Sequence, residues 1–135
     1  MSFSKIPPST LTGYIPAWAH ILNDGTLVIC SDITRIPANA FVGQTGFKKI
    51  IFSSVPTSIC DGAFKGCTGL VDLNLPDGVK TIGNGAFEGC TGLVNIQLPE
   101  SLVSIGEKAF VDCPNLNYRP HIVTLVTKGK VPYVW

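Results

Sequence analysis

A stretch of 23 residues is repeated without a gap near the middle of the chain. The segment TGLVDLNLPDGVKTIGNGAFEGC covers residues 68–90, and TGLVNIQLPESLVSIGEKAFVDC follows at residues 91–113. One step back, residues 45–67 read TGFKKIIFSSVPTSICDGAFKGC, and a looser copy ends at Gln44. A fixed period of this length predicts a solenoid, because a single copy cannot bury its apolar edge and stacked copies share one core.

Three columns of apolar residues keep the same spacing through all four copies. The columns are Ala40, Ala63, Ala86 and Ala109, then Phe41, Phe64, Phe87 and Phe110, and finally Ile36, Ile59, Ile82 and Ile105. Such regular spacing indicates that each residue in a column occupies the same structural position in its coil. We therefore expect the four phenylalanines to stack inside the solenoid.

Each copy begins with a strand and ends with a turn-rich half. Leu73 and Leu75 alternate around Asn74, which is the period of a strand with one buried face. A proline then stops the strand, because proline has no N–H to donate. We expect parallel strands near residues 26–29, 49–52, 71–75 and 94–98, about 4.8 Å apart. The predicted fold class is an α/β-type repeat solenoid, mostly β, with about four coils.

The repeat pattern L-x-x-L-x-L-P-x-x-V/L-x-x-I-G-x-x-A-F-x-x-C resembles the BspA-like leucine-rich-repeat family over about residues 24–118. The resemblance implies a short right-handed solenoid with a parallel sheet on its concave side and turns or short helical pieces opposite. It also implies a role in adhesion and in protein–protein contact. The first copies depart from the pattern, since Asp24 replaces a leucine and Pro37 and Cys60 replace a glycine. These departures predict an irregular N-terminal end.

The two ends of the chain differ in composition from the repeats. We divide the sequence into an N-terminal extension and cap (1–22), four repeats of 22 or 23 residues (23–113), and a partial repeat with a hairpin-like cap (114–135). Caps are expected because the last coil of a solenoid exposes core and an open strand edge. The hairpin is predicted around Lys128-Gly129-Lys130. The terminal aromatic residues are interpreted as cap core, and docking of Trp135 on a partner is the alternative.

Charge and hydropathy argue against several classes of protein. Charged residues make up 14% of the chain and the formal net charge is +1, so no electrostatic feature favours nucleic acid. No apolar run approaches the roughly 20 residues that a membrane helix needs, which predicts no membrane insertion. The N-terminal residues lack the pattern of a signal peptide. This predicts an intracellular protein, or a cell-surface one if the chain is a fragment.

Acidic residues are confined to the repeats, and the terminal segments carry only basic charges. Such a dipolar arrangement leaves end-to-end self-association open, although a simply solvated surface is the competing interpretation.

The cysteines and histidines do not form a reactive or metal-binding pattern. Cys67, Cys90 and Cys113 recur every 23 residues, so they form a column about 5 Å apart that suits neither a disulfide nor zinc. We interpret them as buried, reduced thiols. His20 and His121 both lie in the predicted caps, away from any nucleophile. We therefore expect no catalytic, cofactor-binding or metal site, and the chain is predicted not to be an enzyme.

Function is expected at the positions that vary between copies, because the repeated positions serve the architecture. The outward-facing strand residues vary and line the predicted concave sheet, which solenoids commonly use for binding. They are Thr26, Val28, Lys48, Lys49, Ile51, Val71, Asp72, Asn74, Val94, Asn95 and Gln97.

Two functions remain open at this point. The first is a non-catalytic interaction or structural subunit that contacts other protein chains through its sheet and caps. The alternative is a cell-surface adhesin or host-contact module of the BspA-like type. A third interpretation assigns no partner at all to the concave face, which would then simply be hydrated.

Overall fold

The computed structural model describes residue 16, residues 18–29 and residues 33–116. These residues form nine short strands and contain no helix. The strands are β1 Ala19–Ile21, β2 Thr26–Ile29, β3 Arg35–Ile36, β4 Lys49–Phe52, β5 Ser58–Ile59, β6 Asp72–Asn74, β7 Thr81–Ile82, β8 Asn95–Gln97 and β9 Ser104–Ile105. The expected hairpin around Lys128–Lys130, together with Cys30, His121 and Trp135, lies outside the described residues.

The strands form two sheets that run along the stack of repeats. The long sheet has the order β1-β2-β4-β6-β8, and the short sheet has the order β3-β5-β7-β9. Every neighbouring pair is parallel except β1 and β2. The predicted strands 26–29 and 49–52 are confirmed, and the third and fourth are one residue shorter at each end than 71–75 and 94–98. The fold is a mostly-β parallel solenoid, as predicted.

The number of coils differs slightly from expectation, and the second half of each repeat consists of turns and a short strand. Four strands related by 23-residue steps make about three turns, slightly fewer than the predicted four coils. Turns and the short sheet form the other half of each repeat, where turns or short helical pieces were expected. Along these turns, successive backbone N–H groups alternate between a carbonyl three residues back in the same coil and a carbonyl in the next coil. The N–H of Phe41 donates to Ala63 at 2.7 Å, and that of Phe64 donates to Ala86 at 2.8 Å.

A column of stacked phenylalanine rings forms the centre of the core. Phe41, Phe64, Phe87 and Phe110 are all buried, and their ring centroids are 5.1, 5.3 and 5.4 Å apart in turn. The rings are parallel within 7°. Trp18 closes the N-terminal end of the stack with an edge contact to Phe41 at 5.5 Å. The predicted phenylalanine stack is confirmed, and one tryptophan belongs to the core of the cap.

The glycine of the Ile-Gly pair is required by the close approach of neighbouring coils. A Cβ at Gly83 would lie 2.5 Å from the backbone nitrogen of Asp61, and one at Gly106 would lie 2.5 Å from that of Asn84. These distances are too short for any side chain. The repeated Ile-Gly pair therefore reflects the tight spacing of the short sheet.

The N-terminal edge of the long sheet is an antiparallel hairpin that was not predicted. β1 pairs with β2 through Ala19 and Ile29, and the turn between the strands ends at Gly25, whose φ is +86°. Glycine adopts this left-handed conformation without the steric penalty of other residues. The hairpin places an extra strand outside the first repeat, so β2 is not an open edge.

Candidate protein-binding surface

The outer face of the long sheet is the surface directed away from the core. The inward residues Leu27, Ile50, Leu73 and Ile96 are buried, and their neighbours along each strand point outward. Seven predicted site residues are exposed there, namely Lys48, Lys49, Ile51, Asp72, Asn74, Asn95 and Gln97. Three more are half-buried, namely Val28, Val71 and Val94. Seven of these ten residues lie in strands of the long sheet, and Lys48, Val71 and Val94 directly precede β4, β6 and β8.

Thr26 is the exception, because only 1% of its surface is exposed. Its backbone N–H donates to the Asp24 carboxylate at 3.0 Å, and its carbonyl accepts from Leu22 at 2.8 Å. The Lys48 side chain packs against the neighbouring Gly25, where its Cγ and Cε lie 3.3 Å from the place that a Cβ would occupy. The prediction that Thr26 belongs to the exposed face is wrong, because the β1–β2 turn folds closely around this residue.

The N-terminal half of the outer face combines apolar surface with positive charge. Val28 pairs with Ile51 across β2 and β4, and Ile51 is 49% exposed although it is a large aliphatic residue. Lys48 and Lys49 precede it in the chain and are both exposed. His20 pairs with Val28 on the other side and is exposed on the same face. The half thus offers an apolar patch bordered by two ammonium groups.

Sequence reasoning missed His20 because it placed the residue in a cap of unspecified structure. The segment AHILNDGTLVI carried the signal, since two apolar runs flank an Asn-Asp-Gly turn, which is a hairpin pattern. That hairpin brings His20 to the outer face.

The charge at this end is partly balanced by Asp24. Hydrogen bonding from Thr26 holds the pKa of Asp24 below its usual value, and the charges of Lys49 and Lys48 lower it further. Asp24 therefore stays ionised through the physiological range. The two lysines outnumber this single carboxylate, which leaves the N-terminal half of the face positive.

The C-terminal half of the outer face is polar and rich in amides. The Asn95 side-chain amide donates to the Asp72 carboxylate at 2.6 Å, which partly satisfies that charge. Asn74 and Gln97 pair across β6 and β8, and both are exposed. Each amide can donate and accept hydrogen bonds at once, which suits contact with a partner's backbone or polar side chains. The two halves of the face are therefore chemically different.

A groove lies along the short sheet. This open groove has a volume of about 580 Å³ and is lined by hydroxyls, by Asp61 and Asn84, and by the glycines of the Ile-Gly pairs. The side chains of Asp61 and Asn84 already hold the coils together. The Asp61 carboxylate accepts from the N–H of Asn84 at 2.8 Å, and the side-chain oxygen of Asn84 accepts from the N–H of Glu107 at 2.9 Å. Both residues therefore have a structural role.

The cysteine column lies in the core, as predicted. Cys67, Cys90 and Cys113 are buried, and each thiol donates to a phenylalanine carbonyl in the preceding coil, at 3.1, 3.2 and 3.3 Å. Burial raises the pKa of Cys67 to about 12 and raises that of Cys90 as well. Such thiols stay protonated at neutral pH and are poor nucleophiles. They help to link successive coils.

The described residues contain no group of three or more histidine, cysteine or acidic side chains that could hold a metal ion. Nor does this part of the chain contain a helix that could cross a membrane.

Comparison with known proteins places this geometry in a family. The model of the BspA type leucine-rich repeat region matches residues 22–124 with six copies. None of the curated proteins matches the chain in sequence. The solved structures that are similar to it include the following two. A leucine-rich repeat protein from Bacteroides ovatus is 31% identical, with a TM-score of 0.62 over 82% of this chain and 30% of its own. The pneumococcal vaccine antigen PcpA is 30% identical, with a TM-score of 0.60 over 65% of this chain and 22% of its own.

The matches cover different shares of this chain and of the solved structures. This chain spans less than a third of the length of either solved structure, so the likeness concerns the repeat architecture. The family match covers most of the sequence and includes every strand from β2 to β9. The repeat pattern, the stacked phenylalanines and the two parallel sheets agree with it. The chain belongs to the BspA-type leucine-rich repeat family.

Proposed function

We propose that the chain is a non-catalytic protein-binding module and that the outer face of the long sheet is its docking surface. One observation carries the proposal. Ile51 is 49% exposed at the middle of a rigid sheet, beside Lys48 and Lys49 and away from the core. An aliphatic side chain in this setting gains by being covered by a partner, and repeat proteins generally bind other proteins through such faces.

The chemistry of the face suggests the kind of partner. Specific protein contacts combine an apolar centre with a polar rim, and the half around Val28 and Ile51 has this composition. A partner segment with an apolar side chain for Ile51 and carboxylates for Lys48 and Lys49 is complementary to it. Asn74 and Gln97 would then contact polar groups further along the same segment. The partner is therefore an acidic, partly apolar surface on another protein.

An adhesin or host-contact module is the second candidate function. It is favoured by the similarity to PcpA, which is described as a pneumococcal vaccine antigen. The same outer face would serve in both cases, and the candidates differ in where the partner is found. A partner recovered from host material would favour the adhesin, and one from the producing cell would favour the interaction subunit.

Retention on the immobilised chain tests the docking surface. We expect a double variant, Lys49→Glu with Ile51→Asp, to lose a specific protein that the unmodified chain retains from native material. The reason is that the variant reverses one charge and makes the apolar patch acidic. Retention by the unmodified chain should also weaken as salt rises, because exposed charges are screened. Identification by mass spectrometry and an affinity measurement with the purified partner complete the test.

Matched substitutions away from the face provide the control. Lys80 and Val103 are exposed, and Val103 is 58% exposed, but neither lies on the long sheet. Lys80→Glu with Val103→Asp makes the same chemical changes and should leave retention unchanged. Equal loss in both double variants would overturn the proposed docking surface, and so would full retention by the Lys49/Ile51 variant.

A further inference from the structure

The residue pair Asn84-Gly85 carries chemistry that the proposed function does not use. It is the one Asn-Gly pair in the chain. In such a pair the backbone nitrogen of the glycine can attack the side-chain carbonyl carbon of the asparagine. A five-membered succinimide forms and ammonia leaves, and water then opens the ring to aspartate or isoaspartate. Glycine favours the reaction because no side chain hinders the approach.

The fold holds both reacting groups in hydrogen bonds to the next coil. The N–H of Gly85 donates to the carbonyl of Glu107 at 2.9 Å, and the side-chain oxygen of Asn84 accepts from the N–H of Glu107 at 2.9 Å. The N–H of Asn84 is bound in turn by Asp61 at 2.8 Å. Gly85 is buried, whereas Asn84 is exposed to water. Water therefore reaches the amide, but the attacking nitrogen is not free.

We propose that Asn84-Gly85 is a deamidation site that the intact solenoid blocks and that separation of the last described coil unblocks. Loss of the contacts to Glu107 frees the Gly85 nitrogen and the Asn84 side chain together. The reaction then turns a transient local opening into a permanent chemical change.

The two products have different consequences for the stack. Asp61 occupies the equivalent position one coil earlier, and its carboxylate accepts the N–H of the following coil in the same way. An aspartate at position 84 therefore keeps the acceptor that Glu107 uses. An isoaspartate adds a carbon to the backbone, and the 23-residue step can no longer align Gly85 with Glu107. In the aspartate form, the last described coil should pack again on the preceding one. In the isoaspartate form, the two coils should stay apart.

The experiment compares reaction rates in folded and unfolded protein. Wild-type chain is incubated in mildly alkaline buffer, with and without urea, and the peptide carrying Asn84 is followed by mass spectrometry. We expect the folded chain to react at least about tenfold more slowly, since it must open first. The rate should rise with urea below the unfolding transition. Equal rates in the two states would overturn the proposal, and so would a rate that is constant up to the transition.

Two variants separate the blocking from general stability. Gly106→Ala places a Cβ against Asn84 and should raise the rate in folded protein, whereas Val103→Ala, at an exposed site in the same coil, should not. If the Gly106→Ala variant does not fold, the dependence of the wild-type rate on urea decides the question. Asn84→Asp should melt at the wild-type temperature. A markedly lower melting temperature would contradict the restacking of the aspartate form.

Discussion

The inner and outer surfaces of the long sheet are built from adjacent residues and follow opposite rules. On the inner side, Leu73 and Ile96 pair in register and are 2% and 6% exposed. One residue further, Asn74 and Gln97 are exposed. The inner positions keep the same chemistry at every 23-residue step, whereas the outer positions change from apolar and basic to amide. The repeated positions therefore define the fold. The positions that vary between repeats are the ones that could recognise one partner and not another.

The largest effect is expected inside the stack. Replacing Phe87 by alanine removes a ring held between Phe64 and Phe110 at 5.3 and 5.4 Å. The free energy of unfolding should fall by about 3–5 kcal/mol, because the cavity cannot collapse in a rigid stack. Urea denaturation measures this loss. Asn74→Ala on the outer face is the control and should change stability by less than about 0.5 kcal/mol. Similar losses in both variants would break the distinction between the two surfaces.

A smaller effect is expected where two coils meet. Gly83→Ala forces a Cβ against the backbone of Asp61 and should lower the free energy of unfolding by about 1–3 kcal/mol. Gly43→Ala is the matched control, because its Cβ would meet nothing within 4 Å and only its φ of +73° opposes the change. That conformational penalty is about 1–2 kcal/mol. A larger loss at Gly43 than at Gly83 would show that contact between coils does not decide the glycine.

Much of this architecture could be predicted from the sequence, because the repeat period indicates which residues of most coils face the core. The phenylalanine column and two of the strands lie where the repeat places them. The burial of Thr26 could not be found this way, since it depends on the β1–β2 turn around Asp24. The contacts of Asn84 were equally hidden. They use a side-chain oxygen at a position whose residue type differs in each coil.

The thiols give a pH-dependent test of the interior. The pKa of Cys67 rises from 9.0 to about 12 on burial, so an unfolded chain loses this proton at lower pH than the folded one. Stability should therefore fall as pH rises above about 9, because the unfolded state then binds fewer protons. Urea unfolding at a series of pH values measures the slope, and Cys67→Ala should reduce it. An unchanged slope in that variant would contradict a buried, neutral thiol.

Thiol labelling adds a comparison within the same molecule. Cys60 is half-buried beside the groove of the short sheet, whereas Cys67, Cys90 and Cys113 are buried. In native protein, Cys60 should react with a thiol reagent first among these four described cysteines, and the other three should wait for unfolding. Peptide mapping after timed labelling identifies each site. Equally rapid labelling of Cys90 would place the column nearer to solvent than the fold has it.

The smallest effect on stability is expected from an exchange within the outer face. Asp72→Asn with Asn74→Gln gives β6 the outer residues of β8, without touching the core. The free energy of unfolding should change by less than about 0.5 kcal/mol, because both side chains are exposed. Affinity for the partner should change measurably, since these positions distinguish one coil from the next. Unchanged affinity would restrict the docking surface to the half around Ile51.

Site-specific photocrosslinking tests the central claim, which is that partners dock on the variable outer face. A photoreactive amino acid replaces Ile51 in one chain and Val103 in another, since the two side chains are similarly exposed at 49% and 58%. Irradiation in native material should join the chain to a distinct partner protein from position 51 and not from position 103. Adducts from position 103 with none from position 51 would contradict the assignment of the outer face as the binding surface.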